Sequence, residues 1–321
     1  MASTPDPSVA IILVNWNGYA FTKACLSSLR EVNTPDFTVI LVDNDSQKPE
    51  GETLKKEFPE ILLIQNPNNL GFSGGNNVGI RKALDMGFSH VLLLNNDTEV
   101  EPDFLEKMLH VQQSEASTGV IQPMIYFLGE KEKIWSAGGK WISTYARAKT
   151  LGDRKNVDDY SPSTDKLDWA TGCAMLVSRE AILAAGLLNE QYFAYFEDVE
   201  WSLRIRQKGF EIKLASDATV YHEAGASSKK KGPEGTLSAN VFYWNVRNQF
   251  FLLRGLNKPS KGLEPLEGSP NEFIAYPYHL GKFLLWMCYF LLRGRFKKLN
   301  AVARGIKEGL SDPLKPAPEW P

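Results

Sequence analysis

The first third of the chain contains four short apolar runs, each followed by a cluster of polar side chains. The runs are residues 9–14, 37–42, 61–64 and 91–94. Stretches with helical spacing separate them, as between residues 19 and 31, where Leu26 and Leu29 lie on one helix face. Strands that alternate with helices are typical of a mostly parallel sheet with helices on both faces. We therefore predict an α/β fold.

The polar clusters lie where a parallel sheet places its binding site. They are Asn15-Trp16-Asn17-Gly18, Asp43-Asn44-Asp45-Ser46, the segment 66–77 and Asn95-Asn96-Asp97. Ligands of open α/β sheets bind beyond the carboxyl ends of the strands, so we expect these clusters to converge on one crevice. Asp97 offers a carboxylate there, which suits a hard divalent cation that also binds a diphosphate. The alternative for residues 95–97 is an ordinary turn, because the same residue types favour turns.

The segment 71–79 is rich in glycine but matches no common phosphate-binding pattern. It resembles neither a GxxxxGK[ST] phosphate loop nor a GxGxxG dinucleotide fingerprint. We predict a loop whose glycines allow the backbone to approach a ligand closely. Asn76 and Asn77 would then cap a helix over residues 78–86.

Two acidic residues follow an aromatic run in the second half of the chain. The run is residues 192–196, and Glu197 and Asp198 open the helix that we predict next. Acids in a first helical turn are favoured by the helix dipole, so capping is one explanation. The other is chemical, because an aromatic wall suits the apolar face of a sugar ring and an adjacent carboxylate can accept a proton from a hydroxyl.

His222 follows a strand that we predict over residues 218–221. A lone histidine at a strand end is commonly a hydrogen-bonded structural residue, but a neutral imidazole is also a common metal ligand. Spacing alone leaves both interpretations open.

The C-terminal part is apolar and basic. Residues 283–292 are all apolar, and Arg293, Arg295, Lys297 and Lys298 follow them. From Leu280 onward the net charge is +5, which leaves −7 for the rest of a chain whose total is −2. A spanning helix needs about 20 apolar residues, so this run is too short to cross a bilayer. We expect either an interfacial anchor on an anionic membrane surface or a helix packed against the α/β domain or a second subunit.

Cysteine usage and the N-terminal residues indicate a reducing compartment. Cys25, Cys173 and Cys288 are widely separated, so we expect neither a disulfide framework nor a structural zinc site. The start of the chain lacks the basic and then apolar layout of a secretory signal. We therefore expect a cytoplasmic protein, and no nucleic-acid partner.

Seven motifs, in this order along the chain, resemble those of the inverting glycosyltransferases of family 2, in particular rhamnosyltransferase-like members. The motifs are Val14-Asn15-Trp16-Asn17, Val42-Asp43-Asn44-Asp45-Ser46, the segment 69–77, Leu94-Asn95-Asn96-Asp97, Trp169-Ala170-Thr171-Gly172, Phe196-Glu197-Asp198-Val199-Glu200-Trp201 and His222. The resemblance covers about residues 9–250. It implies the GT-A nucleotide-diphospho-sugar transferase fold, with a mostly parallel central sheet, helices on both faces and a C-terminal helical appendage.

The resemblance implies a role for each matching residue on the donor side. The nucleotide and sugar donor would lie against Asn15, Asn17, Asp43, Asn44, Asn76, Asn95, Asn96 and Arg247, with Asp43 reading the pyrimidine edge. Asn95-Asn96-Asp97 takes the place of the family's DxD motif. Only its last position is acidic here, which we expect to weaken metal affinity without removing the site. Asp97 and His222 would hold Mg²⁺ or Mn²⁺.

The resemblance also implies the acceptor side and the base. Trp169, Thr171 and Gly172 match the acceptor side of the cleft, and Asp198 matches the general base, with Glu197 as the competing candidate. Arg247 lies in a tyrosine-rich Arg-Asn helix, where it would pair either with a phosphate or with one of the helix acids.

The expected activity is transfer of a sugar, L-rhamnose from dTDP-L-rhamnose, onto a saccharide or a polyprenyl-diphosphate-linked acceptor in bacterial surface polysaccharide synthesis. The donor nucleotide is of the dTDP or UDP type. We expect a flexible N-terminus at 1–8, a catalytic domain at 9–255 and a C-terminal helical region at 256–321 that contacts the inner face of the cell membrane or forms a homodimer. The alternatives are a sugar-nucleotide nucleotidyltransferase and a catalytically inactive sugar-binding relative.

Overall fold

The structure is a computed structural model, and it describes residues 8–33, 37–115, 117–162, 165–223, 229–232, 235–257 and 270–320. Apart from Ser8, the N-terminus that we predicted to be flexible lies outside the described residues. The same is true of most of the segment that joins the predicted catalytic domain to the C-terminal region, so the domain boundaries remain predictions.

Strands and helices alternate through the first half of the described chain. The strands are β1 Val9–Asn15, β2 Phe37–Asp43, β3 Leu62–Gln65, β4 His90–Leu94, β5 Thr98–Val100, β6 Thr118–Phe127, β7 Glu130–Ser136, β8 Gly139–Ile142, β9 Arg147–Thr150, β10 Lys166–Leu167, β11 Ala174–Ser178, β12 Glu211–His222, β13 Lys229–Gly232 and β14 Gly235–Leu237. The helices are α1 Tyr19–Leu29, α2 Glu50–Glu57, α3 Gly71–Asp85, α4 Phe104–Ser114, α5 Arg179–Ala185, α6 Glu197–Gln207, α7 Ala239–Asn257, α8 Glu272–Leu292 and α9 Phe296–Ser311.

The central sheet has the order β10-β12-β6-β11-β4-β1-β2-β3, with β5 and β7 paired at its side. Strands β3, β2, β1 and β4 are parallel, so the polar clusters after β1, β2 and β4 lie along one edge. Strand β11 runs antiparallel to both β4 and β6, and β12 is parallel to β6. The predicted α/β class, with a mostly parallel sheet, is confirmed.

The sheet is buried on both faces because alternate residues of its strands point to opposite sides. In β1, Ile11 and Leu13 pack in one apolar cluster with residues of α1, α2 and α4. Ala10 and Ile12 pack in the other cluster with residues of α3, α5 and α6. The unbroken apolar runs in the sequence are therefore the strands of the core.

The prediction of a glycine-rich loop over residues 71–79 was wrong, because α3 begins at Gly71. Asn76 and Asn77 lie inside this helix and do not cap it. The glycines serve helix packing: a Cβ at Gly75 would lie 2.9 Å from Val14, and one at Gly79 would lie 2.6 Å from Ile12. The helix can approach β1 this closely only because those side chains are missing, so tertiary packing outweighs the low helix propensity of glycine.

The C-terminal helices form a separate layer. Helices α8 and α9 pack together, and α9 also packs along α7, around an apolar cluster that includes Phe250, Phe283 and Val302. Beyond α9 the chain returns to the core of the central sheet, where the carbonyl of Pro318 accepts a hydrogen bond from Leu187 N and Trp320 packs against the apolar cluster. No helix within the described ranges combines the length and the apolar character needed to cross a membrane.

Candidate active site

The tips of β1 and β2 are joined by a buried hydrogen-bond network around Asn15. Its Nδ2 donates to Asp43 Oδ2 at 3.3 Å, to Ser46 Oγ at 3.1 Å and to Glu50 Oε2 at 3.1 Å. Its Oδ1 accepts a hydrogen bond from Thr22 Oγ1 at 2.7 Å. Because both ends of the amide are occupied inside the protein, Asn15 holds the strand tips together.

Asp43 and Asn44 are also buried and bonded internally. The Asp43 carboxylate accepts hydrogen bonds from Ser46 N at 2.9 Å and Gly51 N at 2.8 Å. The Asn44 amide donates to Asn69 Oδ1 and to the Gly71 carbonyl, and it accepts from Asn66 Nδ2 and Leu70 N. The structure therefore gives both residues a part in fixing the loops at this edge of the sheet, besides any contact that they make with a nucleotide.

Asn17 and Trp16, which follow β1, have exposed side chains. Trp16 is 50% exposed, and Asn17 is exposed with its Oδ1 accepting a hydrogen bond from Gln47 N. Asn76, by contrast, is buried and donates to the Phe72 carbonyl one turn earlier in α3. Of the predicted donor-binding residues up to position 76, only Asn17 thus presents an exposed polar side chain.

The segment Asn95-Asn96-Asp97 follows β4 directly. Asn96 Nδ2 donates to Thr22 Oγ1 at 2.7 Å, which ties it to the network of Asn15. The side chain of Asn95 is partly exposed, while its backbone N–H donates to the Cys173 carbonyl. The three residues thus point in different directions, and Asp97 is the one that meets His222.

Asp97 and His222 form a buried pair. Asp97 Oδ1 lies 3.2 Å from His222 Nε2, and the two side chains are 10% and 8% exposed. Trp135 packs edge-on against the imidazole with ring centroids 4.4 Å apart. Burial alone lowers the pKa of His222, but the neighbouring Cys173 and the Asp97 carboxylate together raise it to about 10. In the free protein the imidazole therefore carries a proton near neutral pH.

The donor set of this pair fits a divalent cation. Asp97 Oδ1 is buried without a hydrogen bond of good geometry, and a carboxylate oxygen beside an imidazole nitrogen suits Mn²⁺ or Mg²⁺. No group of three His, Cys, Asp or Glu side chains suitable for a metal occurs in the parts of the chain that the structure describes. The protein would supply two ligands here. Mg²⁺ commonly takes its remaining ligands from substrate phosphates and water.

The acids Glu197 and Asp198 open α6. Asp198 is partly exposed, its Oδ2 accepts a hydrogen bond from Gly172 N at 3.1 Å, and its Oδ1 accepts one from Val199 N at 2.8 Å. Glu197 is buried, and its Oε2 has no hydrogen-bond partner among the described residues. Burial raises the pKa of both carboxyl groups. For Glu197 the neighbouring charge of Asp198 raises the pKa further, and it lies well above the ordinary value for a glutamate.

The segment before these acids has an unusual backbone. Phe193, Tyr195 and Phe196 adopt positive φ angles of 62°, 71° and 71°. Such conformations are costly for residues other than glycine and occur where the surrounding structure enforces them. The acids therefore follow a strained turn that other elements must hold.

Helix α7 supplies that support through Asn248 and Arg247. Asn248 Nδ2 lies 2.8 Å from each of three carbonyl oxygens, those of Tyr192, Ala194 and Tyr195. The Arg247 guanidinium donates to the Gln191 and Tyr192 carbonyls and to Asn248 Oδ1. We call Arg247 and Asn248 the α7 clamp. No carboxylate is among the partners of Arg247 in the described chain, so of the two alternatives the ion pair with a helix acid is not observed, and pairing with a phosphate stays a prediction.

Two of the three predicted acceptor residues, Trp169 and Thr171, border a cavity of about 210 Å³, and Gly172 is not part of its lining. Its lining consists of Trp135, Ser136, Thr150, Asp153, Trp169 and Thr171. The motifs pointed to Trp169 and Thr171 but not to the other four. These come from the segments around β7 and β9, whose irregular sequence gave no signal of a common site.

The two halves of the site meet at residues 171–173, just before β11. Gly172 N donates to Asp198, the Cys173 carbonyl accepts from Asn95 N, and Cys173 also neighbours His222. The Asp97–His222 pair and the carboxylate of Asp198 therefore flank the same three residues. Because β2, β1, β4 and β11 are consecutive in the sheet, the Asp43 network lies along the same edge.

The chain is similar in sequence to several known sugar-transfer proteins. The chain is 28% identical to the low-salt glycan biosynthesis hexosyltransferase Agl10 of Haloferax volcanii over 75% of this chain and 74% of that protein. It is 25% identical to the dTDP-rhamnosyl transferase RfbF of Shigella flexneri over 74% and 76%. It is 22% identical to an N-acetylglucosaminyl-diphospho-decaprenol L-rhamnosyltransferase of Mycobacterium tuberculosis over 72% and 80%.

Solved structures share the fold. The mannosyltransferase PcManGT of Pyrobaculum calidifontis, in complex with GDP-Man and Mn²⁺, superposes with a TM-score of 0.58 at 12% identity, over 96% of this chain and 88% of that one. GalNAc-T7 with UDP, GalNAc and Mn²⁺ gives a TM-score of 0.59 at 15% identity, over 78% of this chain and 48% of that one. The predicted GT-A fold is confirmed. A family model described as glycosyl transferase family 2 matches residues 10–181, more than half of the sequence, and the chain therefore belongs to glycosyl transferase family 2.

Proposed function

We propose that this protein is an inverting glycosyltransferase that transfers L-rhamnose from dTDP-L-rhamnose to a saccharide or polyprenyl-diphosphate-linked acceptor. Two of its relatives bear rhamnosyltransferase names, one with a dTDP donor and one with a diphospho-decaprenol acceptor. The observation that carries the proposal is the position of Asp97–His222 and Asp198 on either side of residues 171–173.

The donor occupies the edge formed by β1, β2 and β4. The nucleoside lies over the strand tips that Asn15, Asp43 and Asn44 hold in place, with Asn17 as the exposed polar contact. Asn76, Asn95 and Asn96 belong to the same donor side. Asp97 and His222 hold Mn²⁺ or Mg²⁺, and both solved neighbours contain Mn²⁺. A bound metal of this kind stabilises the negative charge of a departing diphosphate.

Asp198 is the general base. Inversion requires the acceptor hydroxyl to attack the anomeric carbon from the side opposite the leaving nucleoside diphosphate. The hydroxyl proton passes to an Asp198 carboxylate oxygen, the new C–O bond forms, and the bond to the diphosphate oxygen breaks. Burial raises the pKa of Asp198, which makes it a stronger base than an ordinary aspartate. Glu197 is the less favoured candidate because it is buried, whereas Asp198 is partly exposed.

The acceptor sugar enters the cavity beside Trp169 and Thr171. Two tryptophan side chains in the lining, Trp135 and Trp169, offer apolar faces to a sugar ring, and the hydroxyl and carboxyl groups of the other lining residues offer hydrogen-bond partners. An acceptor carried on a polyprenyl diphosphate is presented at a bilayer surface. Peripheral contact with the inner face of the cell membrane is therefore part of the proposal.

Release of dTDP from dTDP-L-rhamnose, with Mn²⁺ and a lipid-linked or free saccharide acceptor, tests the activity. We expect Asp198→Asn to retain binding of dTDP, measured by thermal shift, and to lose at least about a hundredfold in turnover, since a general base contributes about 10²–10⁴-fold. Asp217→Asn changes an exposed acid on β12, the strand that carries His222, and should keep the wild-type rate. A wild-type rate in Asp198→Asn would move the base to Glu197 or elsewhere.

The same experiment separates the alternatives. Membership of glycosyl transferase family 2 speaks against a nucleotidyltransferase, which would form dTDP-L-rhamnose instead of cleaving it. A catalytically inactive relative is suggested by the amides at Asn95 and Asn96, and it would bind dTDP without any release from the sugar nucleotide. A panel of dTDP, UDP and GDP with and without Mn²⁺ in thermal-shift experiments identifies the nucleotide that the folded protein binds.

A further inference from the structure

The outer face of α8 is unusually apolar for a surface. We define it by its exposed members, which are Phe273, Ile274, Tyr278, Leu284, Leu285, Tyr289, Leu291 and Leu292. Together with Phe296 they make nine of the 17 large exposed apolar residues in the described parts of the chain. Leu285 is 71% exposed and Leu292 is 86% exposed. Apolar patches of this kind on a protein surface commonly mark an interaction site.

The opposite face of α8 is buried in the protein. Ala275, His279, Phe283 and Phe290 are almost fully buried, and the apolar ones among them belong to the cluster shared with α7 and α9. A helix that is packed along its length on one side cannot be surrounded by lipid. It can only lie with its outer face against a partner surface, in the manner of an interfacial helix.

The positive charge of this region indicates what kind of surface it contacts. Residues 273–307 contain no Asp or Glu, but they contain Lys282, Arg293, Arg295, Lys297, Lys298, Arg304 and Lys307. A second copy in a two-fold dimer would present this same face, which carries cations and no acids in these residues. An anionic bilayer surface supplies both the apolar layer and the opposite charge.

We infer that the outer face of α8 docks on an anionic phospholipid bilayer, with its leucines and aromatic side chains in the interface and Arg293 and Arg295 at the headgroups. This deepens the proposed function, because it assigns a surface to the membrane contact that a lipid-linked acceptor requires. The binding itself involves neither donor nor catalysis.

The docking face is linked to the acceptor cavity. His279 Nε2 lies 2.8 Å from the Tyr145 carbonyl oxygen, and Tyr278 packs against the Tyr145 ring with centroids 5.0 Å apart. Tyr145 lies in the turn between β8 and β9, and Thr150 at the end of β9 lines the cavity. A bilayer under α8 would therefore lie beside the hairpin that borders the acceptor site.

Vesicle flotation of the purified full-length protein tests the inference. The probes are vesicles of phosphatidylcholine alone and of phosphatidylcholine mixed with phosphatidylglycerol. We expect the wild type to float with the anionic vesicles, less so at high salt, and much less with phosphatidylcholine alone. Leu285→Glu should reduce the partition coefficient by about tenfold or more, since it places a charge where the bilayer would otherwise bury an exposed leucine. The matched control Leu183→Glu adds the same charge at a 47% exposed leucine of α5 and should bind like the wild type.

Each outcome decides the inference. Absence of wild-type binding to anionic vesicles, or equal binding of Leu285→Glu and the wild type, would overturn it. A wild-type dimer that Leu285→Glu converts to a monomer, without vesicle binding, would assign the face to a second copy instead. Because Asp198→Asn should float like the wild type, loss of glycosyl transfer and loss of membrane binding are separate results.

Discussion

Asn248→Ala removes the central contact of the α7 clamp. Asn248 is fully buried, and its Nδ2 reaches three carbonyl oxygens of the segment in which Phe193, Tyr195 and Phe196 have positive φ angles. For residues other than glycine, a backbone with positive φ is less stable by about 1–2 kcal/mol per residue. The turn is therefore poised to relax once the contacts that oppose its strain are lost.

The size of the effect follows from the contacts. An amide nitrogen has two protons, so Nδ2 amounts to two hydrogen bonds, each worth about 1 kcal/mol net. Its Oδ1 accepts from the Arg247 guanidinium, and a bond to a charged group contributes about 1.5 kcal/mol or more. A total of about 3.5 kcal/mol would shift the equilibrium towards the relaxed turn by more than about a hundredfold, because about 1.4 kcal/mol corresponds to a factor of ten.

We therefore expect Asn248→Ala to lower kcat by about a hundredfold, because Asp198 follows the turn directly. The affinity for dTDP with Mn²⁺, measured by calorimetry, should change much less than kcat, since the hydrogen bonds that fix the side chains of Asn15 and Asp43 do not involve α7. The control is Asn245→Ala on the same helix, whose side chain, within the described residues, donates to the Val241 carbonyl one turn earlier. A folded Asn248→Ala protein with near wild-type kcat, or an equal loss in Asn245→Ala, would refute the reasoning.

Three further predictions concern the ionisable side chains of Glu197 and His222. Burial raises the pKa of Glu197 in the folded protein well above 4.5, so above about pH 4.5 the folded state keeps a proton that the unfolded state releases, and stability falls as pH rises through that window. The Glu197→Gln variant should be more stable than the wild type at neutral pH, and this difference should vanish on acidification. Urea denaturation at several pH values measures the free energy of unfolding of both proteins. A pH dependence of that free energy unchanged by the substitution would argue against a buried carboxyl group at position 197. His222→Ala should weaken Mn²⁺ binding in the presence of dTDP by at least about tenfold in calorimetry, whereas equal affinity would remove His222 from the metal site. Because the pKa of His222 is about 10, Mn²⁺ must displace a proton, and the affinity of the wild type should rise with pH up to that value.

The sequence predicted the parts of the fold that depend on local pattern. Strands β1 and β2 were recognisable because their residues are apolar without interruption, and the polar residues after them had to lie at one edge of a parallel sheet. The second half of helix α3 was predicted, but its first half was missed because those turns are rich in glycine and are held by close packing against Val14 and Ile12. The length of α8 was also missed, since the ten-residue apolar run covers only its second half.

The candidate site, like the fold, could be predicted from the sequence only in part. An amide or carboxylate at a strand tip has the same sequence signature whether it bonds to the protein or to a ligand, so the internal bonds of Asn15, Asp43 and Asn44 were not predictable. The clamp and the cavity bring together residues far apart in the chain, such as Asn248 with Tyr192 and Trp135 with Thr171. Contacts between residues so far apart in the chain could not be predicted from local sequence patterns.

A crystal structure of the protein with dTDP-L-rhamnose and Mn²⁺ is the most direct test of the central claim. The metal should be coordinated by Asp97 and His222 together with the diphosphate. The anomeric carbon should lie next to residues 171–173, with Asp198 on the side opposite the diphosphate. A metal bound away from Asp97, or a sugar whose anomeric carbon cannot be approached from Asp198, would contradict the account.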